Sequence, residues 1–172
     1  LGLSLSYGLS RFPNFAHAEY ITFGAYMAFM FLTVFGLNIY LSIGLAVVLS
    51  ALIGGLSFLL LFKPLKSRGA SLIHLMVSSI GLSFLIRHFL MQVFGGGIQS
   101  FKIIWSTISI GPIVTTPLLL AILATALIIA ISLHVMLTKT KLGKAIRAAA
   151  DNPELAAASG IDLNRISLFT WS

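Results

Sequence analysis

Residues able to do chemistry are few in this chain and stand in three places. Asn14, His17 and Glu19 fall within "RFPNFAHAEY" (11–20), Arg87 and His88 lie late in an apolar run, and Asp151, Glu154 and Asp162 stand in "RAAADNPELAAASGIDLNR" (147–165). That last stretch holds three of the four acidic residues. His17 and Glu19 lack the H-E-x-x-H spacing that sets two imidazoles on one helix face for zinc. No Gly-x-Ser-x-Gly elbow presents a serine nucleophile. The chain has no cysteine, which removes thiolate catalysis, thiolate metal sites and disulfides. The expectation is a protein that is not an enzyme and holds no metal or cofactor, whose polar groups bind, orient or transmit.

Composition says what must position those groups. Only 9% of the 172 residues are charged and 58% are hydrophobic, against roughly 25% charged in an ordinary soluble domain. The mean hydropathy is +1.05. Continuous apolar runs fall at about 21–37, 40–62, 72–94 and 118–137. Their length suits the ~30 Å hydrocarbon layer, which takes about 20 helical residues to cross. A barrel would show alternating strands of about ten residues instead. The fold class expected is all-α, a polytopic transmembrane helix bundle forming a single domain over 1–172. Apolar stubs at 1–10 and 166–172 read as parts of further spans, so the chain reads as a fragment. Ser50 with Gly54, and Ala51 with Gly55, give the small-xxx-small spacing that lets helix backbones approach in lipid.

The formal charge of +7 is not read as a nucleic-acid signal, because the bases never cluster with interleaved aromatics. Lys63, Lys66 and Arg68 follow the second run, and Lys139, Lys141, Lys144 and Arg147 follow the fourth; the loop at 95–116 holds only Lys102. By the positive-inside rule, 63–69 and 138–165 are cytoplasmic, 95–116 faces outside, and the opening segment is cytoplasmic. His74 then starts its span at the inner interface, and His134 is structural near the inner end of the fourth. Arg87 and His88 either snorkel to the outer headgroups or line a pore.

The loop at 138–165 has structure of its own. "KLGKAIRAAA" is rich in helix formers, with Leu142, Ile146 and Ala149 on one face and Lys144 and Arg147 on another. Pro153 breaks that helix and biases Asn152 away from the helical region. A second helix can begin at once, with Asn152 as N-cap, Pro153 in the first position and Glu154 in the first turn. Gly160 is placed to end it. Ala156, Ala157 and Ala158 form a small face for close approach by something else. The competing reading is an amphipathic loop resting on headgroups.

"GKAIRAAADNPELAAASGIDLNRI" resembles the cytoplasmic loop of ABC-importer permeases for branched-chain amino acids. There a basic Gly-x-[Ala/Leu]-x-Arg-Ala helix meets an acidic break, Glu/Ala-rich residues, and a Gly-Ile/Val followed by Asp/Asn. Glu154, Ala156 and Gly160 match the importer motif Glu-Ala-Ala-x-x-x-Gly in spacing, with Leu155 in place of the first alanine and Thr170 where an isoleucine is usual. "LSYGLSRFPNFAHAEYITFGAYMAF" is similar to the family's opening signature, Asn-Phe-Ala-His-Gly-Glu/Ser followed by Gly-Ala/Ser-Tyr, with Ala18 replacing glycine. "KPLKSRG" and "SSIGLSFLI" agree with its next hydrophobic segments, so the resemblance covers the whole chain as the N-terminal half, or slightly more, of a permease.

The resemblance implies a multi-pass permease subunit in the plasma (inner) membrane of a prokaryotic cell. It would work with a second permease subunit, cytoplasmic ATP-binding-cassette ATPase subunits and an extracytoplasmic substrate-binding protein, moving branched-chain or other hydrophobic amino acids. Gly143, Arg147, Asp151, Glu154, Ala156 and Gly160 would then couple the loop to the ATPase. Asn14, His17 and Glu19 are either an ordinary turn or a broken helix beside the translocation path, where irregular backbone must face protein or water. The alternative function is a secondary transporter or channel for an amino acid, urea or amide, without a partner ATPase.

Overall fold

The computed structural model describes residues 2–97, 99–100, 107–110 and 113–171. The expectations that fall on Leu1, Lys102, Trp105, Pro112 and Ser172 lie outside the described residues. Helices account for nearly all of the rest: α1 Gly2–Ser10, α2 His17–Thr33, α3 Ile39–Ser57, α4 Lys63–Ser67, α5 Leu72–Phe94, α6 Pro117–Lys139, α7 Lys141–Asp151, α8 Pro153–Ala158 and α9 Leu163–Trp171. A single π turn, Phe58–Phe62, joins α3 to α4 without a break. Within the expected outer loop two three-residue strands, β1 Ile108–Ile110 and β2 Ile113–Thr115, pair antiparallel with Ile108 opposite Thr115. This short hairpin is the departure from an all-helical chain among the described residues.

Among the described residues three helices are long and apolar enough to cross a membrane: Ile39–Ser67, Leu72–Phe94 and Pro117–Lys139. The chain is a polytopic helical membrane protein. Two of these helix starts have a side-chain cap of their own. Asn38 caps α3 by accepting the Leu41 N–H at 2.8 Å, and Thr116 caps α6 with Pro117 in its first position.

α2 packs against α3 through small residues. A Cβ at Gly24 would lie 2.7 Å from Ser50 Oγ, and Ser42, Ala46, Gly54, Gly55 and Ser57 are buried along α3. Ser50, the first residue of the small-residue spacing at 50–55, makes this close helix contact. α6 is the opposite case. None of its membrane-length window is buried inside the structure, and only its C-terminal end, at Met136 and Leu137, packs against the chain that follows.

α2 and α5 run parallel in a fixed register. The Phe15 N–H donates to Ser79 Oγ at 3.1 Å, Glu19 meets Arg87, and Tyr26 stacks on Phe94 with ring centroids 4.8 Å apart. The segment 11–20 therefore lies alongside α5. Phe12 packs with Leu75, so the segment climbs beside α5 from its first turn to its middle. Since α5 rises ~1.5 Å per residue, α2 starts roughly 10 Å or more inside the level of Leu72. It also starts at His17, earlier than the apolar run, because Asn14 supplies its entry.

Candidate functional site: an outward hairpin and a broken helix

Four local devices fix the polar hairpin α7–α8. Thr140 caps α7, its Oγ1 accepting the Gly143 N–H at 3.0 Å while donating to Met136 O at 2.6 Å. Gly143 is packed so tightly under α6 that a Cβ there would run into the carbonyls of Met136 and Leu137. Asn152 closes α7 through its N–H to Ala148 O and opens α8 by accepting the Leu155 N–H at 3.0 Å. Gly160, at φ +83°, takes the left-handed turn that ends α8. Its N–H reaches Ala157 O and the next N–H, of Ile161, reaches Ala156 O, the paired bonds of a Schellman cap.

This geometry sorts the six expected coupling residues. Arg147, Asp151 and Glu154 are exposed, whereas Gly143 and Ala156 are buried. The expectation that Ala156 belongs to an open small face is corrected: it is 3% exposed and packs with Leu9, Ile146, Ala149 and Ile166. A residue at the C3 position of a Schellman cap faces its apolar C″ partner, here Ile161. Leu155, Ala157 and Ala158 are the ones left open. Gly160 is a turn residue with open space around it. Asp162 does not face outward freely either; it caps α9, accepting the Asn164 and Arg165 N–H groups at 2.9 and 3.2 Å, and pairs with Arg165 at 3.2 Å.

A residue that the sequence reading passed over ties this hairpin to the membrane segment. Arg11, itself at φ +64°, donates from its guanidinium to Ala150 O at 2.6 Å and Asp151 O at 3.4 Å. A cation there complements the negative end of the α7 dipole. Arg11 is also the first residue of the break between α1 and α2.

Within that break the three expected path residues divide. Asn14 is 4% exposed and turns inward, its Oδ1 accepting the Ala16 N–H at 3.1 Å while its carbonyl takes the His17 N–H. Glu19, 4% exposed, sits in the first turn of α2 where the dipole favours an acid. Its Oε1 accepts two bonds from Arg87, one from Nε at 3.1 Å. His17 alone of the three lines a cavity of about 590 Å³ with Tyr20, Gly24, Ser50 and Trp171, a volume in the range of small-molecule sites. The structure thus brings Asn14, His17 and Glu19 into a broken helix against α5. Arg87 reaches sideways to Glu19 instead of standing alone, a pairing that a single acid and a single arginine in two apolar runs could have signalled.

Among the described residues the molecule is defined by two features: a membrane bundle with a helix broken at depth, and a fully capped polar hairpin at one end. That is the class of a multi-pass helical membrane protein. A family model described as branched-chain amino acid transport system, permease component, matches residues 1–172; the chain belongs to that family. It is 32% identical over 178 residues to "Probable branched-chain amino acid transport permease protein LivH" of Methanocaldococcus jannaschii, covering 99% of this chain and 56% of the relative. It is 21% identical over 185 residues to "High-affinity branched-chain amino acid transport system permease protein BraD" of Pseudomonas aeruginosa, covering 99% and 60%. The chain therefore spans a little over half the length of these curated relatives. No solved structure matches it.

Proposed function

We propose that this chain is the membrane-spanning permease part of an ATP-driven importer for branched-chain or other hydrophobic amino acids, seated in the plasma (inner) membrane. The names of the two relatives support the substrate class. The observation that carries the mechanism is the α7–α8 hairpin. Its interior is apolar and locked, yet Arg147, Asp151 and Glu154 are turned away from the chain. A loop merely resting on headgroups would need neither Gly143 wedged under α6 nor caps at every helix end.

In this reading, cytoplasmic ATPase subunits grip the outer face of α7–α8, and a second permease subunit completes the path. An extracytoplasmic binding protein delivers the amino acid. Closure of the ATPases moves α7 as a rigid piece. Gly143 carries the motion into α6, and Arg11 carries it into the break at 11–16. The chain itself hydrolyses nothing.

The experiment is uptake of labelled leucine, isoleucine and valine into vesicles holding the complete transporter, with and without ATP and the ATPase subunits. Uptake that needs both supports the reading. Uptake undiminished without either would favour the secondary transporter or channel instead.

A further inference from the structure

The exposed face of α5 carries a feature that neither the hairpin nor the Glu19–Arg87 pair uses. Position by position, His74, Ser78, Gly81, Leu85, His88 and Gln92 are spaced four, three, four, three and four apart. At about 100° per residue they lie within roughly 40° of one line running the whole length of the helix. All are exposed except half-buried Ser78. The packed face, Leu75, Ser79, Ile86 and Leu90, lies on another side. A third side is apolar: Ile73, Val77, Ile80 and Phe84 are 71, 61, 39 and 53% exposed.

Two faces of one membrane helix are thus open, one apolar and one with polar groups at both ends around Gly81 and Leu85, the latter 64% exposed. The mean hydropathy of this span is 1.5, against 2.6 for each of the other two, and the stripe lowers it together with Arg87, Ser79 and Ser83. Imidazole and carboxamide groups are costly against hydrocarbon. Local bonds satisfy only part of the stripe. His74 Nδ1 meets Ser71 Oγ at 2.7 Å, Ser78 Oγ donates to His74 O at 2.7 Å, and His88 Nδ1 meets Phe84 O at 2.8 Å. Among the described residues nothing bonds the other ring nitrogen of either histidine or the Gln92 amide.

A second observation sits at the end of the stripe that starts the helix. A cleft of about 630 Å³ opens there, lined by Arg68, Ser71, His74 and Ser78 together with Leu65, Ile73 and Val77. The stripe therefore starts in a hollow that it shares with Ile73 and Val77.

We infer that this face of α5 lines an aqueous path through the membrane, with the Arg68–Ser71 cleft as its basic-side mouth. Beyond the cleft, the apolar face at Ile80 and Phe84 meets lipid. The stripe offers hydrogen-bonding groups without a carboxylate or a permanent cation. Such a lining suits a small solute with no net charge and several polar atoms, a zwitterionic amino acid above all, and holds it weakly enough to release it. The inference rests on the permease reading and adds which face of which helix the solute passes.

Native cysteine is absent, so single-cysteine scanning of the complete transporter in vesicles is direct. His74→Cys, Ser78→Cys, His88→Cys and Gln92→Cys are compared with Ile80→Cys and Phe84→Cys, using a charged water-soluble thiol reagent, with leucine uptake read on the same vesicles. The stripe should label at least about tenfold faster than the apolar set, because the reacting thiolate is suppressed in apolar surroundings, and saturating leucine should slow it. Equal rates in the two sets would overturn the inference. So would a shielded stripe that cross-links to a second copy of the chain. Intact uptake with an unlabelled stripe overturns the stripe alone. A labelled stripe in vesicles that take up no amino acid supports the aqueous face and overturns the permease reading.

Discussion

The segment 12–19 and the hairpin α7–α8 are both polar interruptions in an apolar chain, and they are built in opposite senses. In the first, the polar side chains turn in: Asn14 and Glu19 are each 4% exposed, and their bonds are closed within the chain. In the second, the backbone ends are closed by Thr140, Asn152 and Gly160 while Arg147, Asp151 and Glu154 stay open. Irregular backbone at membrane depth must be satisfied inside, because hydrocarbon supplies no partners. A segment in water has no such need, so outward charges on a rigid frame are free to meet another protein. The contrast separates residues that hold the fold from residues that face a partner, and substitutions can test the division.

The largest effect should come from within the membrane. Arg87→Leu leaves Glu19 buried without its cation, and breaking a buried pair costs about 3–5 kcal/mol. The guanidinium is 55% exposed and the carboxylate only 5%, so the lower figure is expected. Thermal unfolding in detergent should show it, and Arg87→Leu combined with Glu19→Leu should recover most of the loss. If Arg87→Leu alone is neutral, the inward closure of this segment is not what holds α2 to α5.

Next comes the frame of the hairpin. Gly143→Ala places a Cβ against the backbone of α6, and overpacking of this kind costs roughly 1–3 kcal/mol. Proteolysis between α6 and α8 should quicken while the three long helices still insert. Smaller again is Asn152→Ala, which removes the cap of α8 and should cost about 1 kcal/mol. Gly160→Val strains the left-handed turn by a similar ~1 kcal/mol or more. Protease sensitivity of the loop is the readout for both, and an unchanged rate for either would mean that α8 does not depend on its caps.

How much of this was legible follows the range of the interactions. The two ends of α8 could be read directly, because Asn152-Pro153 and Gly160 act on backbone within a few residues of themselves. The amphipathic face of α7 was legible for the same reason, and Ile146 and Ala149 are buried as their spacing with Leu142 required. The placement of 12–19 beside α5 was not. It depends on a register between α2 and α5, set by Phe15 with Ser79 and Tyr26 with Phe94, and nothing in either segment alone specifies that offset. Arg11 at the end of α7 escaped notice likewise, since its acceptors are carbonyls 139 and 140 residues away. Ala156 was misplaced because three successive alanines give no clue to which one turns inward. The stripe on α5 was present in the sequence all along, but only the packed face shows which positions remain open.

The central claim is that the outward charges of α7–α8 serve a partner and not the fold. Glu154→Lys tests it most directly, because Glu154 is exposed and has neither a salt bridge nor a side-chain hydrogen bond among the described residues. The measurement is ATP-driven leucine uptake and ATPase co-purification in the complete transporter, beside thermal stability of the same preparation. Reversed charge at a matched interface costs more than the 1.4 kcal/mol that corresponds to tenfold. Uptake and ATPase retention should therefore fall at least about tenfold with stability unchanged. Wild-type uptake with the ATPase still bound would contradict the account.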